Sequence, residues 1–247
     1  MHQSEPARPH TFFPTAIETF RNCPERYYHQ YIRKRKRPAP FSRPLIIGGA
    51  AHRLIARALP LYFHSGEVAL DLDSEALQQI STSEYPKEEL PYREQDARDV
   101  VDLTRTAIDM VPSDATSLLQ ERRLYAPLGR SGNSIGAQVD LVLERSDGAL
   151  EHIDFKTGKV RDNTVQSLMA RAVVGKRFQT APEILTTTLH LAHHKRDTSR
   201  LTSEASRDDW LEIAQNIRDI GSLDRFPPYP GPLCNYCPYQ ARDCSVM

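Results

Sequence analysis

The chain has 247 residues, 39% of them hydrophobic, with 32 basic and 32 acidic side chains that cancel to a formal net charge of zero. That length suits one large domain or two small ones, the apolar fraction suffices for a packed core, and the balanced charge gives no overall pull toward a polyanion. No run is long and apolar enough to span a bilayer, and the N-terminal MHQSEPARPHTFFP lacks the apolar core of a secretory signal, so a cytoplasmic protein with reduced thiols is expected.

Residues 1–10 read as a flexible tail. Thr15-Ala-Ile-Glu18, behind Pro14, has the form of a capping box and predicts a helix start, with Ile17, Phe20, Tyr27 and Tyr31 recurring at helical spacing. Pro24 interrupts that pattern, because proline disfavours helix in the residue before it and readily opens a new one. Two short helices with Cys23 at their joint are therefore expected.

Charge is unevenly spread along this part of the chain. Ten basic residues and one acid, Glu25, lie between Arg21 and Arg57, and Arg33, Lys34, Arg35, Lys36 and Arg37 form an unbroken run. Such runs are most often solvated faces. This one is dense and has Tyr27, Tyr28 and Tyr31 beside it, rings able to stack on bases, so nucleic acid is a candidate partner.

Pro38, Pro40 and Pro44 predict a linker. Gly48-Gly49-Ala-Ala-His52 opens a second helical segment that runs on through Leu54, Ile55, Ala58 and Leu59. Residues 71–126 read as helical, acidic and amphipathic, with a break near Tyr85 to Pro91. The period then changes. Residues 134–143 (SIGAQVDLVL) and 150–155 (LEHIDF) read as strands joined by the tight turn Ser146-Asp147-Gly148. A helix is expected near Thr164 to Val174, a strand over residues 184–192, a helix over Trp210 to Ile220, and an extended lead through Phe226-Pro-Pro-Tyr-Pro-Gly-Pro into the C-terminal cysteines.

The hairpin carries the chemistry. A turn centred on Asp147 and Gly148 pairs residues whose numbers sum to about 294 or 295, which sets Asp140 opposite Asp154 or one position away. Directly opposed side chains have Cβ atoms roughly 4.5–5.5 Å apart, so two carboxylates there repel unless a cation lies between them. Asp154 and Lys156 are two apart on one strand and share a face. Hard oxygen ligands of this kind suit Mg²⁺ or Mn²⁺, which acidify a water and neutralise phosphate charge, and a neighbouring lysine can stabilise developing negative charge. An ordinary surface Asp–Lys pair is the bland alternative. His52 reads equally as a packed helix histidine or as one ligand of a divalent metal.

All four cysteines lie near the two ends: Cys23, then Cys234, Cys237 and Cys244. One distant thiol plus a cluster containing Cys-x-x-Cys reads as four ligands of one centre that ties the chain's beginning to its end. Cys₄ ligation serves zinc and iron–sulfur alike, and spacing does not separate them.

Taken in order, Thr15…Phe20…Cys23-Pro24, Gly48-x-x-x-His52, Gly136-x-x-x-Asp140, Ile153-Asp154-Phe155-Lys156-Thr157-Gly158, Gln166 and Cys234-x-x-Cys237-Pro238-Tyr239…Cys244 resemble the RecB/AddB-type branch of the PD-(D/E)XK nucleases. Relatives of that branch include the iron–sulfur exonucleases of CRISPR adaptation. The resemblance spans about residues 11–247 as a single nuclease domain. It implies an α/β fold, a restriction-endonuclease-like core with a mixed central sheet flanked by helices, a helical insert over residues 60–125 and an N-/C-terminal iron–sulfur clasp. It further implies that His52, Asp140, Asp154 and the Phe155 carbonyl bind a catalytic Mg²⁺ or Mn²⁺. Lys156 would assist the attacking water, Gln166 would support the site or contact the DNA backbone, and Cys23, Cys234, Cys237 and Cys244 would hold a [4Fe-4S] cluster. Arg33 to Arg37 would contact DNA. The activity implied is exonucleolytic cleavage of single-stranded or frayed DNA in repair, recombination or defence, with any helicase or CRISPR-adaptation partner a separate protein. Where relatives carry a tyrosine one turn after the glutamine, this chain has Ala170. A nuclease-inactive DNA- or partner-binding subunit and a structural Cys₄ zinc protein are the alternatives.

Overall fold

The computed structural model describes residues 11–35, 42–82, 92–129, 132–159, 164–179, 183–199, 203–239 and 244. The expected tail at 1–10, the break near 85–91, and Lys36 and Arg37 of the basic run lie outside these residues.

A short strand β1 (Thr11–Phe12) leads into helices α1 (Pro14–Asn22) and α2 (Pro24–Tyr27). Cys23 sits at the joint in extended backbone, capping the end of one helix and the start of the next. The expected capping box does not form: α1 begins at Pro14 with Phe13 as its cap and no side-chain cap bond. Proline at the first helical position supplies the start instead, since its fixed φ suits a helix and its missing N–H would be unpaired there anyway. Beyond α2 the chain widens into a π-helical turn, Tyr28–Ile32, closed by Arg33 N–H donating to the Tyr28 carbonyl five residues back at 2.8 Å.

Helix α3 (Arg43–Ser65) carries His52 at its middle, and α4 (Leu72–Ser81) and α5 (Arg93–Met110) follow. Residues 116–127, expected to be helical, form strand β2 (Thr116–Pro127). Their composition is rich in helix formers (Leu, Gln, Glu, Arg), but pairing along nearly the whole of β3 (Ser134–Glu144) overrides that weak preference. β4 (Leu150–Lys156), α6 (Thr164–Arg177), β5 (Ile184–His190), β6 (Lys195–Ser199) and α7 (Ser203–Ser222) complete the order.

The sheet is mixed, in the order β1-β3-β4-β5-β6, with β2 also pairing β3. β4 and β5 run parallel, as their connection through α6 requires. The β3–β4 hairpin has the expected register, Leu141 opposite Ile153, and Gly148 takes the left-handed backbone of its turn at φ 79°. On one face of the sheet α1, α6 and α7 bury Ile17, Phe20, Leu168, Val173 and Ile217 against Val139, Val142 and Leu150. On the other, α3 and α5 bury Ile55, Leu59 and Ala107 against Leu141, Ile153 and Phe155. Helices α3, α4 and α5 pack on one another beyond that layer through Leu54, Ile80 and Val100.

Strict alternation along β3 breaks at one place. Val139 and Val142 face the α1/α6/α7 core, whereas Leu141 and Leu143 face the α3/α5 core. The side-chain parity switches between Val139 and Leu141, while the register against β2 stays the same on both sides, Val139 opposite Arg122 and Leu141 opposite Gln120. Asp140 stands at the switch, and there the ladder opens.

Candidate active site

Asp140 takes the place of a ladder acceptor: its Oδ2 accepts the Phe155 N–H at 2.9 Å. The same oxygen lies 3.6 Å from Nδ1 of His52. His52 reaches it because α3 lies close over the end of β4. A Cβ at Gly48 would stand 2.8 Å from the Thr157 hydroxyl, so glycine one turn before the histidine is what permits the approach. The imidazole packs edge-on against the Phe155 ring at 6.3 Å.

A third donor, which sequence reasoning did not find, comes from β2. Glu121 lies opposite Asp140, and its Oε1 is 3.6 Å from His52 Nδ1. One ligand atom from each of His52, Glu121 and Asp140 falls within 4.8 Å of the others. Glu121 has φ 45°, a left-handed conformation that costs a non-glycine residue about 1–3 kcal/mol and persists where its surroundings hold it. Gln138 is part of that hold, donating from Nε2 to Glu121 Oε2 at 3.0 Å.

Asp154 turns to a different set. Its Oδ1 accepts from Lys156 Nζ at 3.1 Å and from Gln166 Nε2 at 2.5 Å, and Lys156 also donates to Gln166 Oε1 at 2.9 Å. Lys156 Nζ also ion-pairs with Asp154 Oδ2 at 2.8 Å, and among the described residues that buried oxygen has no further partner. The sequence-predicted His52, Asp140, Asp154, Lys156 and Gln166 thus meet in one place, linked through the N–H and ring of Phe155. Ala170 is fully buried in the core under α6, on the side away from solvent.

The electrostatics are those of anions held out of water without enough positive charge. Burial, reinforced by Asp154 and Glu121 against the pull of His52 and the Phe155 N–H, pushes the Asp140 carboxyl up to about 7. Burial lowers the His52 pKa, but Glu121, Asp140 and Asp154 together outweigh it and leave the imidazole above its ordinary value. Both groups therefore hold protons in the folded, metal-free state that the unfolded chain would release. Stability linked to Asp140 is full below its ordinary 3.8 and is lost as pH rises toward 7, and that linked to His52 is lost above 6.5. Fully buried His152 pulls the other way, since burial lowers its pKa to about 4 and the unfolded chain takes up that proton at pH 5. The expected signature is therefore a difference between variants: from pH 5 to pH 8 the chelator-treated parent should lose melting temperature relative to chelator-treated Asp140→Asn, and Mn²⁺ should remove that loss by binding the deprotonated site. A chelated parent and Asp140→Asn with the same pH dependence would contradict this electrostatic account.

The other two predicted clusters fare differently. Cys23, Cys234, Cys237 and Cys244 line one pocket, and none is in a disulfide. Among the described residues no three thiols come within 4.8 Å of one another. The Cys244 thiol donates to Glu25 at 3.2 Å. The tyrosines expected beside the basic run to face bases do not all do so. Tyr27 is buried and stacks on Tyr31 at 5.1 Å and on Phe226 at 6.0 Å, and burial pushes its hydroxyl up to about 12. Helical spacing placed these rings on a core face. Arg33 bonds the Tyr28 hydroxyl at 2.9 Å, and Arg33 and Lys34 are exposed.

The sequence matches the model of the PD-(D/E)XK nuclease superfamily over residues 11–242. No curated protein matches it. Among solved structures, one of a protein from Eubacterium rectale described as "Putative exonuclease" matches at 12% identity with a TM-score of 0.56, over 94% of this chain and 88% of that one. The crystal structure of SSO0001 matches at 12% identity with a TM-score of 0.40, over 96% and 86% of the two chains. At such identity the first likeness is one of fold, a mixed sheet flanked by helices. No helix among the described residues is long and apolar enough to cross a membrane.

Proposed function

The chain belongs to the PD-(D/E)XK nuclease superfamily, and from that premise we propose that it is a metal-dependent deoxyribonuclease, an exonuclease acting on single-stranded or frayed ends. The observation that carries this reading is the meeting of His52, Glu121 and Asp140 beside the Asp154–Lys156–Gln166 triangle.

The donor set fits a hard divalent cation. It offers one imidazole nitrogen and two carboxylates, with Asp154 Oδ2, ion-paired to Lys156, buried beside them, and Asp140 is too poorly compensated to ionise at its ordinary pH. His52, Glu121, Asp140, Asp154 and the Phe155 carbonyl would hold Mg²⁺ or Mn²⁺. Such an ion, when bound, lowers the pKa of water and offsets charge on a phosphate. The remaining work falls to the chain. Lys156 has three N–H donors, two of them engaged by Asp154 and Gln166. The third is available to a water or a phosphate oxygen as negative charge develops. Gln166 fixes both Asp154 and Lys156, and so orients that donor.

In this reading Arg33 to Arg37 bind phosphates with salt-sensitive affinity, and the four cysteines hold a [4Fe-4S] cluster. The four thiols line one pocket, and Cys₄ ligation serves zinc and iron–sulfur alike. The pathway is repair, recombination or defence, with a helicase or CRISPR-adaptation protein as a separate partner. End-labelled single-stranded DNA and a blunt duplex, incubated with Mg²⁺, Mn²⁺ or chelator, test the activity. Metal-dependent shortening of the single strand is expected. Tight DNA binding with no cleavage under either metal would assign the chain instead to the inactive-subunit reading.

A further inference from the structure

A groove opens beside the carboxylates, walled by the first turns of α1 and α6 and floored by β2 and β3. Its volume is about 470 Å³, within the roughly 300–1,000 Å³ typical of small-ligand pockets. Two of its lining side chains lead directly into the site: Gln138 holds Glu121, and Gln166 holds Asp154. Phe13, Pro14, Thr15, Glu18 and Arg123 line the rest.

Arg123 and Tyr125 are two apart on β2 and share a face, with Gln138 and Gly136 as their cross-strand partners. Arg123 donates from Nε to Gln138 at 3.4 Å, and among the described residues its terminal nitrogens have no partner. Tyr125 is 53% exposed. Phe13 meets it edge-to-face, with centroids 6.1 Å apart and planes at 78°. Gly136 makes that pairing possible. A Cβ there would stand 2.9 Å from the Phe13 ring and 3.1 Å from the Tyr125 ring. The glycine four residues before Asp140 thus seats an aromatic pair on the strand that carries the carboxylate.

We propose that this groove seats one unpaired nucleotide of the DNA strand being cut. Arg123 binds its phosphate and the Phe13–Tyr125 pair stacks on its base. The inference rests on the nuclease reading above and deepens it by locating a source of single-strand preference. An exposed ring can stack on a base only when that base has left its own helical stack. The negative charge of Glu18 would repel a phosphate, which sets the phosphate toward Arg123.

The test measures binding apart from cleavage. The full-length protein inactivated by Asp154→Asn is titrated, in Ca²⁺, against fluorescein-labelled oligothymidine and a labelled blunt duplex, with anisotropy as the readout. Tyr125→Ala in that background should weaken oligothymidine binding about tenfold, inside the range that base–aromatic stacking supports. Tyr125→Phe keeps the ring and should bind like the parent, and the blunt duplex should respond little to either. Arg123→Ala should lower the slope of log affinity against log salt by about 0.7, the share of one single-strand phosphate contact. Melting curves of each variant check the fold. A Tyr125→Ala protein that binds oligothymidine as tightly as a well-binding parent overturns the subsite and leaves the nuclease reading standing. An equal loss on duplex overturns the stacking role, and a parent that binds no DNA overturns both.

Discussion

Alanine at Lys156 is expected to slow metal-dependent strand cleavage by about 10²–10³-fold, the effect of removing a preorganised donor aimed at developing charge. The expectation comes from how the ammonium is spent. Two of its donors are committed, at 3.1 Å to Asp154 Oδ1 and 2.9 Å to Gln166 Oε1, and these bonds fix the direction of the third. The loss should therefore appear in single-turnover rate at saturating DNA and Mn²⁺, with little change in DNA affinity. Lys156→Arg should not rescue, because a planar guanidinium cannot reproduce the geometry of three tetrahedral donors. Gln166→Ala should cost less by itself, since it loosens the lysine without deleting it. Combined with Lys156→Ala it should add almost nothing, as residues acting through one group are not additive. A Lys156→Ala protein as fast as the parent would falsify the role given to the lysine.

The hairpin was legible from sequence for a simple reason. Ser146-Asp147-Gly148 closes a tight turn, and a tight turn sets the sum of paired residue numbers, so the register of Leu141 against Ile153 followed from counting. Counting could not show the parity switch at Asp140, because that depends on which core each flank of β3 packs into. Glu121 was hidden twice over. It lies in a segment of helix-forming composition, and its left-handed backbone has no signal in a glutamate. His52 as a metal ligand follows from the family resemblance, in the motif Gly48-x-x-x-His52, and the structure supplies a cause for the glycine, a helix-to-loop approach in which a Cβ would stand 2.8 Å from the Thr157 hydroxyl. Tyr27 and Tyr31 were misjudged because helical spacing puts residues on a common face without saying whether that face meets solvent or core. Phe226, which stacks on Tyr27, lies about two hundred residues away, beyond the reach of any local pattern.

That long-range stack bears on the second large effect. Cys234→Ala is expected to lower the melting temperature by about 10 °C or more and to weaken DNA binding with it. A centre shared by Cys23 and Cys234 closes a loop of 211 residues, from 234 minus 23. Chain entropy values a 100-residue loop at about 4.7 kcal/mol and a doubling at about 0.6 more, which gives a ceiling near 5 kcal/mol. For a domain of this size each kcal/mol shifts the melting temperature by about 2–4 °C. The fall should lie toward the lower end, because the ends also meet without the thiols. Phe226 packs among Phe20, Tyr27 and Tyr28, Glu25 N–H donates to the Pro227 carbonyl, and the Tyr239 hydroxyl donates to the Arg35 carbonyl. The last of these contacts ties the C-terminal segment to the basic run, which is why stability and DNA affinity should fall together. If thiols and rings close the same loop, each is partly redundant while the other holds. Phe226→Ala should then cost more in the Cys234→Ala background than in the parent, a coupling read from a double-mutant cycle of melting curves. Iron and visible absorption in the anaerobically purified parent, both lost in Cys234→Ala, would identify the centre as iron–sulfur, whereas a colourless parent with stoichiometric zinc would replace it with a single ion. A Cys234→Ala protein that stays monomeric, melts like the parent and binds DNA as well would show that the aromatic stack alone holds the two ends of the chain together.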